Sequence, residues 1–315
     1  MIPVILDVDT GIDDALAILF ALAHPELDVR AITCVDGNTS LDQVVANTLA
    51  VLDAAGADEI PVAAGAREPL IELSREAAWV HGADGLAETR LPASARKPVE
   101  VHAVELLRRT LADAPEPLTL ITLAPMTNIA LLIRMHPEVV PRIARIVFMG
   151  GSASRGNATA VAEFNVWHDP EAAFIVLNSG VPLTMYGLDV FERVVVDPDR
   201  IARLRSSEHP AEQLAGRLLG YTAVHPASGE TFTYAMIGDA GAVAAVAAPE
   251  LLRFENLPAQ VELAGGHSRG HLIVDRREPG EGDYVAARPW PRADVALEVD
   301  AEAMVALFLD TLRRV

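Results

Sequence analysis

A chain of 315 residues with a net charge of −19, and with Lys97 as the only lysine among 25 basic residues, repels phosphate backbones and anionic lipid, which excludes nucleic acid and membrane surfaces as partners. Hydrophobic residues make up 51% and aromatics 5%, so a sizeable core must be built mainly from Ala, Val and Leu. Cys34 stands alone, which excludes an intrachain disulfide framework and a cysteine-rich zinc site; without a basic leader or an apolar run of membrane length, the sequence reads as soluble and cytoplasmic.

Residues 4–8 are an apolar run too short for a helix, and an apolar pattern of helical spacing begins at Ala15. Between them, in Asp7-Val8-Asp9-Thr10-Gly11-Ile12-Asp13-Asp14, four carboxylates fall within eight residues of a strand-to-helix turn. Gly11 permits a tight turn, and the exposed N–H groups of a helix start favour Asp13 and Asp14. Asp7 and Asp9 have no such excuse: they lie at the carboxyl end of an expected central strand, where ligands of open α/β sheets bind. Converging carboxylates repel one another unless a cation joins them, and oxygen donors suit Ca²⁺ or Mg²⁺ rather than zinc. The plainer alternative is a helix cap in a solvated loop. An EF-hand fails, because a loop opened at Asp7 puts its required glycine on Ile12 and its closing glutamate on Ile18. A haloacid-type phosphatase, with Asp7 as nucleophile and Asp9 as acid, stays a rival, although Gly11 falls where it wants a small β-branched residue and Asp13-Asp14 would be surplus.

Residues 28–35 predict a second strand ending in Asp36-Gly37-Asn38, 41–55 a second helix and 61–64 a short strand. The stretch to residue 98 is irregular and holds His81-Gly82-Ala83-Asp84-Gly85-Leu86, whose glycines allow a close approach to a ligand. Helices are expected at 99–112 and from Ala124-Pro125-Met126-Thr127-Asn128 to residue 136, with strands at 118–123 and 143–149. This alternation specifies an α/β fold, a mostly parallel central sheet flanked by helices. Asp169 reads as the N-cap and Pro170 as the first residue of a helix that stops at 178–180. A strand at 182–189, a helical pattern over 197–226 and a helix at 239–248 follow. Residues 260–287 suggest a hairpin, and 294–299 and 301–314 close the chain as strand and helix. No linker or low-complexity segment divides it, so residues 1–315 are expected to form one domain.

Two further groupings carry chemistry. Glu163-Phe164-Asn165 follows a glycine-containing loop that holds Asn157, and amides with a carboxylate can grip sugar hydroxyls from fixed directions. Asp239 is a second acid at a helix start, where an N-cap competes with a ligand. His81 is set apart from His24, His102, His136, His209, His267 and His271 only by its glycines.

Asp7 to Asp14, Asp36-Gly37-Asn38, His81 to Leu86, Ala124 to Asn128 and Ala162-Glu163-Phe164-Asn165 together resemble the successive motifs of the inosine-uridine preferring nucleoside hydrolases, along nearly the whole chain. The resemblance implies a nucleoside as small-molecule partner, hydrolysis of its N-glycosidic bond, a role in purine or pyrimidine salvage, a homo-oligomer (dimer or tetramer) and a bound Ca²⁺. It assigns the ion to Asp9, Asp14, the Leu123 carbonyl and Asp239, with Asp9 also taking a proton from water. Asp13, Asn38, Asn157, Glu163 and Asn165 would hold the ribose, and His81 would line the base pocket. Where the family often carries His-Asp-Pro, this chain has Gly238-Asp239-Ala240, so the histidine that protonates the base is missing. Tyr221, His225 and Tyr234 are candidate substitutes, and Gly238→His is expected to speed natural substrates if its side chain reaches the base. Trp79 and Trp167 are read as core residues first and as stacking partners of a base second. A ribohydrolase with a different leaving group and a non-catalytic ribose-binding relative are the alternatives.

Overall fold

The computed structural model describes residues 1–57, 59–225, 227–277 and 289–314. The chain alternates strand and helix from its start: β1 (Ile2–Val8), α1 (Ile12–Ala23), β2 (Leu27–Cys34), α2 (Leu41–Ala54), β3 (Val62–Ala64), the short α3 (Ala78–His81), α4 (Ala103–Asp113) and β4 (Leu118–Thr122). It continues through α5 (Thr127–Met135), β5 (Ile143–Met149), α6 (Phe164–His168), α7 (Pro170–Leu177), β6 (Leu183–Tyr186), α8 (Leu188–Phe191), α9 (Pro198–Arg205) and α10 (Pro210–Leu219). A small hairpin, β7 (Thr222–Val224) and β8 (Thr231–Thr233), precedes α11 (Ala240–Ala247), β9 (Leu252–Val261), β10 (Leu272–Val274), β11 (Arg292–Val299) and α12 (Ala301–Leu312).

The main sheet has the order β10-β9-β11-β6-β5-β4-β1-β2-β3. All pairs from β11 through β6 to β3 are parallel, while β9 runs antiparallel to β11 and β10 to β9. The alternation of side chains along β1 supplies both faces: Val4, Leu6 and Val8 pack into a core with α1, α2, α11 and α12, and Ile5 into one with α4, α5 and α7. From β1 the chain winds outward through β2 and β3, then crosses back to lay β4 on the other side of β1. Loops leaving β1 and β4 therefore diverge at their carboxyl ends, which opens a crevice there.

Several elements differ from the sequence expectation. The apolar run at 182–189 divides into β6 and α8, because past Gly187 the Leu188 N–H turns to the Gly151 carbonyl (3.1 Å) and Asp189 accepts from the Ala153 N–H (2.7 Å). Residues 197–226 give two helices, each opened by a proline at its first position, and then the Thr-rich β7–β8 hairpin; Pro226 lies outside the described residues. The fourth helix starts at Ala103 rather than Val99, where His102 Nδ1 accepts from the Val104 N–H at 3.2 Å. The hairpin expected at 260–287 is present as β9 and β10, but its residues 278–287 lie outside the described residues.

Asn128, at the start of α5, ties the crevice together from beneath. Its Nδ2 donates to Asp7 Oδ1 at 2.8 Å and to the Cys34 carbonyl at 3.0 Å, and its Oδ1 accepts from the Ala66 N–H at 3.0 Å. One amide thus joins the ends of β1 and β2 to the segment after β3. Asn128→Ala is expected to cost about 2–3 kcal/mol, because it strands three polar groups where water does not reach. Urea unfolding measures it, and a loss below about 0.5 kcal/mol would remove the residue from the scaffold.

Candidate active site

The acids cluster because local hydrogen bonds aim them. Asp14, in the first turn of α1, reaches back to accept from the Asp9 N–H (3.1 Å) and the Gly11 N–H (2.9 Å), closing the β1–α1 turn on itself. Asn38 at the end of β2 serves Asp9 twice, through its backbone N–H to Oδ2 (2.8 Å) and its amide to Oδ1 (3.1 Å), and reaches Asp14 Oδ2 at 3.2 Å. This clasp needs Gly37, since a Cβ there would stand 2.0 Å from Asp9 Oδ2. Asp239 arrives from the far part of the chain on α11, which packs against α1. It occupies the N-cap position without making a cap hydrogen bond, so the competition noted in the sequence resolves away from capping.

One oxygen each from Asp13, Asp14 and Asp239 lie within 4.8 Å of one another. Asp13 Oδ1 and Asp239 Oδ1 are buried without any hydrogen-bond partner. Burial first, then the charges of Asp13 and Asp14, hold the Asp239 carboxyl well above the usual range; burial and then Asp13 push Asp14 to about 7. Asp9 is likewise held well above its ordinary value by burial and by Asp14. Three oxygen donors with unspent lone pairs in a dry, mutually repelling group fit a hard divalent cation and suit neither zinc nor a soft metal. Leu123, just past the end of β4, lines the same cavity; its carbonyl accepts from Asn165 Nδ2 at 2.9 Å and keeps one lone pair. Asp13, assigned to the sugar, stands in this trio; Asp9, assigned to the ion, accepts from Asn38 once on each oxygen, and each keeps a second lone pair.

A cavity of about 390 Å³ opens above these acids. Glu163 caps α6, accepting from the Asn165 N–H (2.9 Å), the Val166 N–H (3.2 Å) and, across from β5, the Gly151 N–H (2.9 Å). Burial nevertheless pushes its carboxyl up to about 7. Asn157 spends its Oδ1 on the Phe164 N–H (2.9 Å), which leaves its amide hydrogens for the cavity it lines. Asn165, Asn38 and Asp13 share that wall, so the cavity joins every residue assigned to the sugar. Asn38 and Asn165 are the qualified cases, for both hydrogens of each amide are committed, those of Asn38 to Asp9 and Asp14 and those of Asn165 to the Leu123 and Met149 carbonyls.

His81 sits at the end of α3, its Nδ1 accepting from the Ile12 N–H at 3.1 Å and lying 3.8 Å from Asp13 Oδ1. Burial lowers its pKa, so the ring is neutral and carries its proton on Nε2. Of the three residues named as substitutes for the missing acid, Tyr234 alone lines the cavity, and its hydroxyl donates to Asp13 Oδ2 at 2.9 Å. Tyr221 lies behind Gly82, and His225 packs edge-on to Trp79 with centroids 5.1 Å apart. The core reading of the two tryptophans is corrected: both line the cavity, and Trp79 is 42% exposed, because α3 and α6 present them outward over the crevice. Asp169 is the cap it was taken for, accepting from the Ala172 N–H at 3.0 Å. Asp7, which a phosphatase would use as nucleophile, is bound by Thr33 (2.6 Å) and Asn128 and does not line the cavity.

Arg75, Phe232 and Met236 in the cavity wall were missed from sequence, since no motif marks them and β8, which holds Phe232, is too short to show a period. A bulky apolar residue three places before the predicted acidic helix start was the one available signal, for Met236.

Residues 4–306 match the family model of the inosine-uridine preferring nucleoside hydrolases. The chain is 39% identical over 312 residues, 99% of its length and 98% of the relative's, to the pyrimidine-specific ribonucleoside hydrolase RihA of Citrobacter koseri. Among solved structures it resembles a plant nucleoside hydrolase, PpNRh1, with a TM-score of 0.89, 30% identity and 98% of both chains covered. A purine-preferring ribonucleoside hydrolase from Gardnerella vaginalis gives 0.86, again at 30% identity with 98% of both chains covered. An acid-floored cavity at the switch point of a parallel sheet, matched along almost the entire chain, thus identifies a ribonucleoside hydrolase, and the chain belongs to the inosine-uridine preferring nucleoside hydrolase family.

Proposed function

We propose that the enzyme hydrolyses pyrimidine ribonucleosides to ribose and free base, with one Ca²⁺ held by Asp14, Asp239, the Leu123 carbonyl and an oxygen of Asp9 or Asp13. One observation carries the reading: the unpartnered oxygens of Asp13 and Asp239 converge with Asp14 directly beneath the cavity that Glu163 and Asn165 line. The name of the Citrobacter koseri relative supports the choice of pyrimidines. One domain over residues 1–315, a homo-oligomer and a cytoplasmic location complete the reading; no helix among the described residues is long and apolar enough to cross a membrane.

When bound, the ion supplies the positive charge that makes water a competent nucleophile near neutral pH. The Asp9 carboxylate, kept in place by Asn38, accepts the proton that water loses as it attacks C1′. Glu163, Asn157 and Asn165 fix the ribose hydroxyls, with Asp13 beside them. Cleavage passes through an oxocarbenium-like state, and the surrounding carboxylates favour its positive charge.

The purified protein is expected to hold about one Ca²⁺ per chain through its oxygen donors. Metal analysis of an undialysed sample checks it; no divalent ion, or stoichiometric zinc, sinks the assignment. A chelator should lower the melting temperature, since a ligand present at about 1,000 times its Kd adds about 4 kcal/mol to the folded state. Free ribose from uridine, cytidine and inosine tests the substrate. Faster release from inosine than from both pyrimidines would overturn the base preference.

A further inference from the structure

Gly238 has no side chain to protonate a departing base, and the Tyr234 hydroxyl is engaged with Asp13. The carboxyl groups of the cavity wall are those of Asp13, Glu76, Glu163, Glu192 and Asp239. Such a wall favours the sugar cation and opposes an anionic base. Among the described residues, one permanent cation lines it, Arg75.

Arg75 is positioned rather than loose. Its Cζ lies 4.2 Å over the Trp167 ring, and its Nη2 donates to Glu72 Oε2 at 2.9 Å. Glu72 does not neutralise it alone, for Arg269 takes the other oxygen of Glu72 at 3.0 Å while also holding Glu171 at 2.7 Å. A guanidinium has five N–H donors in a planar fork. Glu72 takes one here, and the Nε and Nη1 hydrogens meet no acceptor among the described residues. A flat, oriented donor set at the wall of an otherwise anionic cavity matches a carbonyl oxygen that gains negative charge.

We propose that Arg75 stabilises the leaving base as an anion. The C1′–N bond breaks with its electron pair passing to the ring nitrogen and on to the adjacent carbonyl oxygen, which accepts from the Arg75 fork. Water forms the new C1′–O bond, its proton goes to Asp9, and the freed base takes a proton from solvent. The preferred substrates are then nucleosides whose base carries a carbonyl conjugated to the glycosidic nitrogen and forms a stable anion, uridine ahead of cytidine and adenosine. The inference rests on the hydrolase reading above.

The test measures kcat on uridine and on p-nitrophenyl riboside for wild type, Arg75→Gln and Arg75→Lys. Loss of one transition-state donor typically costs about 10²-fold. The p-nitrophenolate ion is stable unaided, so Arg75→Gln should lower the uridine to p-nitrophenyl kcat ratio by about 30-fold, with Arg75→Lys recovering part of it. An unchanged ratio, whether from equal losses or from none, overturns the role of Arg75. Absence of ribose from both substrates with the wild type overturns the hydrolase reading itself, so the two failures are distinct.

Discussion

Asp9→Asn is expected to fold and to lose turnover on uridine by about 10²–10⁴-fold, the usual worth of a positioned general base. The amide cannot take a proton from water, and it is a poorer donor to a cation. Its cost to folding is small for a reason the structure supplies. Burial and the neighbouring Asp14 hold the Asp9 carboxyl well above its ordinary pKa, so its charge opposes the folded state, and a neutral side chain relieves that opposition. Asn38 must turn its amide to present an acceptor, but its backbone N–H still meets an oxygen at position 9. In the presence of a chelator the variant should therefore melt at or above the wild-type temperature while remaining inactive. Turnover within a few-fold of wild type would remove Asp9 from the mechanism.

Gly238→His, the exchange that the family resemblance invites, is expected to fail. The residue has φ +58°, and a Cβ there would lie 2.4 Å from the Asp13 Cβ and 3.3 Å from the Tyr234 hydroxyl. Any side chain at this position strains the backbone and displaces Asp13, at a cost of about 1–3 kcal/mol. Gly238→Ala isolates that effect without a titratable group. Both variants should bind Ca²⁺ more weakly and lose uridine turnover by about tenfold or more, since a shift of only about 1 Å in a positioned group is enough. Calorimetric Ca²⁺ titration and ribose release check it. A histidine variant faster than wild type on uridine would show that Asp13 yields and that the base was waiting for an acid.

What was legible in the sequence follows from how local the cause was. The β1–α1 turn announced itself because four carboxylates beside a buried strand have no solvent to retreat to, and the structure keeps Asp9 and Asp14 dry. Glu163-Phe164-Asn165 was readable for a similar reason, as a short polar motif at a helix start. Asp239 was ambiguous in sequence because capping and ligation use the same residue at the same place, and only the packing of α11 on α1 decides between them. That Asp13 converges with Asp14 and Asp239 depends on the rotation of α1 about its axis, which no neighbouring residue encodes. Residues 182–189 deceived because a short apolar run fits strand and helix alike. Arg75 was invisible because its segment has no period, and its partners Trp167 and Glu72 are assembled by tertiary structure.

The dispersal of the acids along the chain also sets a timetable. Asp13 and Asp14 leave the ribosome almost at once, whereas Asp239 follows only after three quarters of the chain has been made. For most of synthesis the nascent protein owns half of the proposed cation site, so a bound ion cannot subsidise the folding of its leading β-α-β segment. That segment must hold its repelling carboxylates with the amide of Asn38 and, once α5 emerges, that of Asn128. With the ion site as proposed, capture has to wait until α11 docks on α1, and a chain cut short before that helix is expected not to bind the ion however well its first half has folded.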